Sequence, residues 1–226
     1  DARLGWRVKS GRNREFGVPA VTEVNSRGLR GPELSLEPGA QRRIIIVGDS
    51  SIYGVRVRDQ DTIAGQLSQL LQRVDPNIAV LNGGCPGYST WQVKRLLKEQ
   101  LLAYQPEWVI LGALWSDTQG ADQPDATQFG GEMLAWRYHS RAYVLLRLWQ
   151  QQRRWKTEAP APVSHGLMPM LAPTNRVPIE DYQRNLQELI SMVQDAGAKP
   201  AFLLLPGIRD VQDGVTGDFR EGYRQV

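Results

Sequence analysis

The sequence contains one cysteine, Cys85, and two histidines, His139 and His165, among 226 residues. One thiol excludes an internal disulfide framework and a cysteine-rich zinc site, and no group of histidine, cysteine and carboxylate residues indicates another metal. The chain also lacks an apolar run near the roughly 18 residues that a membrane span needs. Any histidine-based mechanism within this sequence therefore has only two candidates.

Neither sign of charge predominates in the sequence. The 27 basic and 24 acidic residues leave a net charge of +3, which does not by itself indicate a nucleic-acid partner, and no nucleic-acid-binding motif is present. The glycine-containing loop at 48–54 lacks the lysine of a phosphate-binding loop. With 41% hydrophobic and 23% charged residues, the composition is typical of a globular domain. We therefore expect no nucleic acid, no cofactor and no metal.

Short apolar segments alternate with helical patterns after residue 41. Four branched apolar residues, Ile44 to Val47, form a continuous run typical of a strand buried on both faces. Strands that alternate with helices predict βαβ units, and hence an α/β fold: a three-layer α/β/α sandwich with a mostly parallel sheet. The predicted strands are 44–47, 77–84, 107–117 and 199–207, and the predicted helices cover 61–74, a segment starting at Ser89 or Thr90, and 181–197.

Two regions depart from this alternation. Residues 1–41 hold short extended pieces separated by glycine and proline, and we interpret them as an N-terminal prelude to an α/β domain at 42–226. Residues 118–178 are interpreted as an insertion over the top of the sheet, with a long helix at about 132–156 and a proline-rich segment at 159–178. Because the chain starts without methionine and stops in an uncapped helical pattern, we expect further sequence on both sides.

Small polar residues and glycines follow the first three predicted strands. Ligands of open α/β sheets bind outside the carboxyl ends of the strands, which is where Gly48–Ser51, Asn82–Tyr88 and Trp115–Asp117 fall. A serine on a tight strand-to-helix turn can present its hydroxyl outward. Glycines after the second strand can offer N–H donors to a developing oxyanion. This combination predicts acyl-transfer chemistry.

Three segments at these strand ends, VGDSSIYGVRV, LNGGCPGYSTWQ and LGALWSD, resemble the first three blocks of the SGNH/GDSL hydrolase family. The resemblance implies a flavodoxin-like topology and a serine ester hydrolase that removes small acyl groups, such as O-acetyl groups of carbohydrate. It assigns Ser50 as the nucleophile, and it assigns the oxyanion hole to Ser50, Gly84 and Ser116. The implied partner is a small ester or an acylated carbohydrate.

Two departures from the family pattern bear on activity. The Asp-x-x-His block that supplies the family's catalytic His and Asp is absent, so the resemblance implies that both residues follow Val226. Ser116 stands where the family usually has asparagine, and a hydroxyl donates one hydrogen where an amide donates two. Loss of one oxyanion donor costs about 2.7–4 kcal/mol of transition-state stabilisation.

Each candidate also has a structural interpretation. Ser50 can satisfy backbone groups of its turn, Gly84 can be a turn glycine, and Ser116 can cap a helix. His165 is a weak candidate for a substitute base if its proline-rich loop folds over the sheet edge; otherwise it is an exposed loop histidine. Four further residues are interpreted as structural or uninvolved: Asp49 braces the turn, Asn82 is structural, Cys85 is a small buried hydrophobe, and His139 lies within the insertion helix.

A rival from another class is a non-catalytic carbohydrate- or protein-binding module on the same fold. The altered third block favours it, and so does the missing fourth block if Val226 ends the protein. The basic, tryptophan-rich 132–156 segment is interpreted as an amphipathic lid or as a contact with a membrane surface. The segments LGWRVKSG and NSRGLRGPE of the prelude resemble a subgroup that often follows an N-terminal membrane anchor. We therefore expect a tethered protein whose domain lies outside the cytoplasm.

Overall fold

The computed structural model describes residues 4–14, 21–37, 41–113, 115–121, 123–129, 140, 142–143, 145–146, 149 and 174–204. The strands are β1 (Gly11–Arg14), β2 (Val21–Val24), β3 (Arg42–Gly48), β4 (Ile78–Gly84), β5 (Trp108–Gly112), β6 (Gly120–Ala121), β7 (Thr174–Asn175) and β8 (Lys199–Phe202). The α-helices of the described residues are α1 (Ser50–Tyr53), α2 (Ile63–Gln72), α3 (Thr90–Leu96), α4 (Asp125–Phe129) and α5 (Ile179–Asp195).

A four-stranded parallel sheet forms the centre, in the order β4-β3-β5-β8. Numbered along the chain, the order is second, first, third, fourth, which is the flavodoxin-like arrangement. The prediction of a mostly parallel sheet is therefore confirmed. Ile45 and Ile46 are fully buried on successive positions of β3, as expected for a strand covered on both faces.

Helices cover both faces of this sheet. Side chains alternate along a strand, so Ile46 faces one layer while Ile45 and Val47 face the other. Ile46 packs with Ile52 of α1 and Ala64 of α2. The opposite face packs against α3 and α5 in a larger cluster that includes Ile45, Val47, Val93, Leu97, Leu189 and Val193. The three-layer α/β/α prediction is confirmed.

The boundaries of several elements differ from their predicted positions. The third strand ends at Gly112 rather than at residue 117, because the chain turns over Trp115–Thr118. The helix that starts at Thr90 is capped by the reciprocal Ser89 and Gln92 pair. It then widens into a π-turn at Leu97–Leu101 and tightens into a 3-10 turn at Leu102–Tyr104.

The prelude and the insertion both attach to the carboxyl half of the sheet. β1 and β2 form an antiparallel pair, and Arg30 forms an isolated antiparallel bridge with Asn82 of β4. β6 and β7 pair at the two ends of the 118–178 segment and close its base. Both histidines and most of the predicted 132–156 helix lie outside the described residues. Within the described ranges, no helix is long and apolar enough to cross a membrane.

Candidate active site

The candidate site lies where the strand order of the sheet reverses. The first and third strands along the chain, β3 and β5, are neighbours, and the connections after them leave to opposite sides. A crevice at such a switch point is the usual ligand site of a doubly wound sheet. Ser50 follows β3 and Ser116 follows β5. Because Gly48 pairs with Gly84, the loop after β4 starts level with the Ser50 turn.

Ser50 is the first residue of α1 and is half-buried. Asp49 caps this helix, since its Oδ1 accepts a hydrogen bond from the Ser51 N–H at 2.9 Å. In the part of the chain that the structure describes, the hydroxyl and the N–H of Ser50 have no hydrogen-bond partner. A strand-to-helix turn therefore presents an uncommitted hydroxyl beside an uncommitted backbone donor.

Asp49 joins the turn after β3 to the turn after β5. Its Oδ2 accepts a hydrogen bond from the Ser116 N–H at 3.3 Å, and the Ser116 hydroxyl also bonds to this carboxylate. Burial raises the pKa of Asp49, while the hydrogen bonds from Ser51 and Ser116 oppose that rise. The role predicted for Asp49, bracing the turn, is confirmed.

Ser116 is buried beside Asp49. The residue is 1% exposed, and its hydroxyl interacts with the Asp49 carboxylate. A hydroxyl has a single hydrogen to donate, so an oxyanion would compete with Asp49 for it. The contribution of Ser116 to the oxyanion hole stays a prediction.

The C-terminal end of α1 is held by two buried side chains. Arg30 Nη1 donates to Tyr53 O at 2.8 Å and to Gly54 O at 2.6 Å, and Asn82 Nδ2 donates to Ile52 O at 3.0 Å. These carbonyls have no partner inside so short a helix. Arg30 of the prelude and Asn82 of β4 therefore fix the helix that carries Ser50, and the structural interpretation of Asn82 is confirmed.

Gly84 is a close-approach glycine. A Cβ at this position would collide with the backbone of Ile52 and Tyr53, so β4 packs directly against α1. Its N–H donates to Asn82 Oδ1 at 3.0 Å. This donor already has a buried acceptor, which an oxyanion would have to displace, and the oxyanion role of Gly84 stays a prediction.

Gly87, which the sequence reasoning missed, carries an uncommitted donor in the same loop. Its φ is +78°, and within the described residues its N–H has no acceptor. Both neighbouring carbonyls are held: Pro86 O accepts from Trp6 Nε1 at 2.9 Å, and Gly87 O accepts from Arg176 Nη1 at 2.6 Å. The Pro-Gly pair was the available sequence signal, because this dipeptide marks a turn whose glycine needs a positive φ.

Arg176 connects the insertion to this loop. Its guanidinium contacts Asp125 of α4 at 2.7 Å and Gln92 of α3 at 2.9 Å, in addition to Gly87 O. Asp125 is 1% exposed and also accepts from Ser89 Oγ at 2.6 Å. A buried, charge-assisted network thus ties both ends of the insertion to the start of α3.

Asp117 lies beside that network and is fully buried. Its Oδ1 accepts from the Thr90 N–H at 2.9 Å and from Thr90 Oγ1 at 2.5 Å, whereas its Oδ2 has no partner in the described part of the chain. Burial raises the pKa of this carboxyl to about 7, against the opposing hydrogen bonds from Thr90 and the charge of Arg176.

The remaining candidates are placed as follows. Cys85 is 5% exposed, and burial raises the pKa of its thiol to about 12, which confirms its interpretation as a small buried hydrophobe. His139 and His165 lie outside the described residues. Among the residues that the structure does describe, no group of histidine, cysteine and carboxylate side chains could hold a metal ion.

No protein-family model and no curated protein matches this chain. Among solved structures, it is similar to a lipolytic protein of the GDSL family from Desulfitobacterium hafniense, with 15% identity, a TM-score of 0.40, and coverage of 74% of this chain and 62% of that chain. It is also similar to a lipase/acylhydrolase from Enterococcus faecalis, with 14% identity, a TM-score of 0.39, and coverage of 73% of this chain and 56% of that chain. A third similar structure is a variant of an acetyl xylan esterase from Geobacillus stearothermophilus. Its identity is 17%, its TM-score is 0.42, and the match covers 78% of this chain and 66% of that chain.

This chain therefore spans between 56% and 66% of the length of those three structures.

Proposed function

We propose that this protein is a serine ester hydrolase that removes small acyl groups, with O-acetyl groups of carbohydrate as the favoured substrates. One observation carries the proposal. Ser50 and Gly87 follow adjacent strands, and in the described part of the chain the Ser50 hydroxyl and both residues' N–H groups have no partner. A nucleophile and two donors at one sheet edge fit acyl transfer. The acylated-carbohydrate substrate comes from the family resemblance.

In the proposed reaction, Ser50 Oγ attacks the ester carbonyl carbon and a general base takes the hydroxyl proton. The carbonyl oxygen becomes an oxyanion that accepts from the Ser50 and Gly87 N–H groups. The C–O bond to the alcohol then breaks, the alcohol leaves with a proton, and water hydrolyses the acyl-serine in the same way. The resemblance assigns the base to a His that an Asp orients, and His165 is the candidate within this sequence.

A second function is favoured by one observation. Ser116 occupies the position where the family has a side-chain amide, and its hydroxyl is committed to Asp49. An oxyanion hole with one donor fewer also fits a module that binds acylated carbohydrate or protein without cleaving it. The two functions differ in whether Ser50 forms a covalent bond.

The test of the enzyme proposal compares two adjacent serines. With p-nitrophenyl acetate as substrate, Ser50→Ala in the native protein should lower kcat by at least about 10³-fold, as for a nucleophile that acts with its base as a unit. Ser51→Ala is the matched control, because Ser51 is exposed and one position along, and it should keep most of the activity. Unchanged turnover in a folded Ser50→Ala protein would contradict the assignment.

We also propose that the protein is tethered with this domain outside the cytoplasm, from the likeness of the prelude to anchored members of the family. Fractionation of cells that express the native gene tests this. Recovery in the membrane fraction, accessible to external protease, is the expected result, and recovery in the soluble cytoplasmic fraction would overturn the proposal.

A further inference from the structure

Trp6 lies against the peptide group that carries the uncommitted Gly87 donor. The indole Nε1 donates to Pro86 O at 2.9 Å, and a Cβ on residue 87 would lie 3.1 Å from Trp6 Cζ2. Trp6 therefore contacts the Pro86–Gly87 peptide through both its polar atom and its ring. The contact joins residues that are 80 positions apart, so the fold, and not the local sequence, creates it.

The orientation of that peptide fixes the direction of the Gly87 N–H. The described residues contain no cis peptide bond, and in a trans peptide the carbonyl and the N–H point to opposite sides. Because the indole holds the Pro86 carbonyl, the Gly87 N–H points away from Trp6. A flip of this peptide would break the indole hydrogen bond and reverse the donor. The indole thus stabilises one of two orientations of a glycine-containing loop.

Trp6 itself is held by three contacts, two from Tyr88 and one from Arg176. Tyr88 Oη donates to Trp6 O at 2.6 Å, and the two rings meet edge to face with centroids 5.7 Å apart. The Arg176 guanidinium lies 5.7 Å from the centroid of the Trp6 ring, within cation–π range. Arg176 also binds Gly87 O, so the carbonyls on both sides of Gly87 are fixed by one rigid group of side chains.

We propose that Trp6 is a positioning residue for the reaction: through its hydrogen bond to Pro86 O it keeps the Gly87 N–H aimed at the oxyanion of the acyl-transfer transition state. The proposal rests on the proposed esterase function and extends it, because it makes the prelude a working part of the active site. Trp6 acts through the peptide group and touches no reacting atom.

The variant that isolates this hydrogen bond is Trp6→Phe, which removes the indole donor and keeps an aromatic ring. Trp108→Phe is the matched control: Trp6 is 36% exposed and lies near Arg176, while Trp108 is 37% exposed and has Lys199 at 5.3 Å, at the opposite end of the sheet. Loss of a whole oxyanion donor costs about 10²–10³-fold in kcat. A donor that points correctly only part of the time should cost about 10- to 100-fold.

The kinetic result expected with p-nitrophenyl acetate is therefore a fall in kcat with KM little changed for Trp6→Phe, and neither change for Trp108→Phe. A merely structural role would instead lower the fraction of folded protein, which thermal melting and titration of active serines measure separately. If Trp6→Phe proves unstable, Tyr88→Phe removes the hydroxyl that donates to Trp6 O, and it should also lower kcat with KM little changed, by a smaller factor.

A spectroscopic measurement tests the orientation directly. Proline labelled with 13C at its carbonyl and glycine labelled with 15N select the Pro-Gly pairs of the sequence, which are 38–39, 86–87 and 206–207. A p-nitrophenyl phosphonate forms a Ser50 Oγ–P bond and releases p-nitrophenolate, which leaves a tetrahedral phosphonyl oxygen where the oxyanion would be. On adduct formation the Gly87 amide proton should move downfield in the wild type and in Trp108→Phe, but much less in Trp6→Phe.

The outcomes distinguish failure of the proposed esterase function from failure of the role proposed for Trp6. A wild type that forms no Ser50 adduct overturns the esterase function, and with it this inference. A wild type that forms the adduct while Trp6→Phe shows the same kcat and the same Gly87 shift overturns the role of Trp6 alone. A downfield shift and a kcat that both depend on the indole N–H support it.

Discussion

Three arginines around the parallel sheet, Arg42, Arg30 and Arg176, form contacts of two kinds. At the amino end, Arg42 forms ion pairs with Glu107 at 2.9 Å and Asp75 at 3.2 Å, and its side chain is 55% exposed. At the carboxyl end, the Arg30 and Arg176 side chains are 1% and 12% exposed. Both of these donate to backbone carbonyls beside the candidate site as well as to a carboxylate.

The difference between the exposed and the buried arginines shows which interactions position the candidate site. An exposed ion pair contributes about 0–1 kcal/mol, because water and salt screen it. A buried guanidinium that satisfies several carbonyls cannot be removed without leaving buried acceptors unpaired, at about 1–3 kcal/mol each. Substitution of the buried Arg30 or Arg176 should therefore cost more stability than substitution of the exposed Arg42.

The largest effect on stability is expected at Arg30. Arg30→Met keeps the aliphatic stem but removes the guanidinium that donates to the carbonyls of Tyr53, Gly54 and Val57. We expect a loss of about 3–5 kcal/mol in the free energy of unfolding, measured by urea denaturation. A loss no greater than that of Arg42→Met would remove the distinction between the buried and the exposed arginine.

Asp117 should give the carboxyl end a distinctive pH dependence. Its pKa is raised from 3.8 to about 7 in the folded protein, so the folded state resists deprotonation and the free energy of unfolding falls as pH rises from about 4 to about 7. Asp117→Asn keeps an acceptor for Thr90 and removes this titration. Relative to wild type, the variant should gain up to about 4 kcal/mol above pH 7, at about 1.36 kcal/mol per unit of pKa shift.

Parallel denaturation series at pH 4 and pH 8 would check this. The difference between variant and wild type should grow with pH. A difference that stays constant across that range would show that the Asp117 carboxyl titrates normally.

Gly87→Ala should have a smaller effect on stability. A φ of +78° is strained for a residue with a Cβ, and that Cβ would press on the Trp6 ring. We expect a loss of about 1–2 kcal/mol, measured by thermal or urea denaturation. The control is Gly197→Ala, which has a similar φ of +76° but an open environment, so a loss well above that of the control would isolate the contact with Trp6.

The smallest effect is expected at Arg42. Arg42→Met removes two exposed ion pairs at the amino end of the sheet and should change the free energy of unfolding by about 0–1 kcal/mol. Any loss should shrink in high salt, because salt screens solvent-exposed charges. A loss comparable with that of Arg30→Met would contradict the comparison.

The sequence predicts the sheet well because its signal is local. The run from Ile44 to Val47 marks a doubly buried strand, and the alternation of strands and helices indicates the layers. The donors of the site are harder to predict. The sequence does not distinguish the N–H of Gly84 from that of Gly87. In the fold, the Asn82 side chain accepts a hydrogen bond from the Gly84 N–H, and this shows that the Gly84 donor is already used.

The buried arginines were missed for a related reason. Arginine is seldom fully buried, so Arg30 and Arg176 carry no local sign of burial. Each lies in a segment that irregular composition marks as prelude or insertion, and its partners come from distant elements. Long-range polar contacts of this kind do not follow from hydrophobic periodicity, which reports only the face that a residue occupies.

The central claim is that Ser50 is a nucleophile, and covalent labelling tests it most directly. The native protein is treated with a fluorophosphonate, which loses fluoride when it bonds to an activated serine, and the modified peptide is identified by mass spectrometry. The account predicts one adduct, on Ser50, that persists in Ser51→Ala and is absent from Ser50→Ala. A folded protein that acquires no adduct, or that carries it on another serine, would contradict the account.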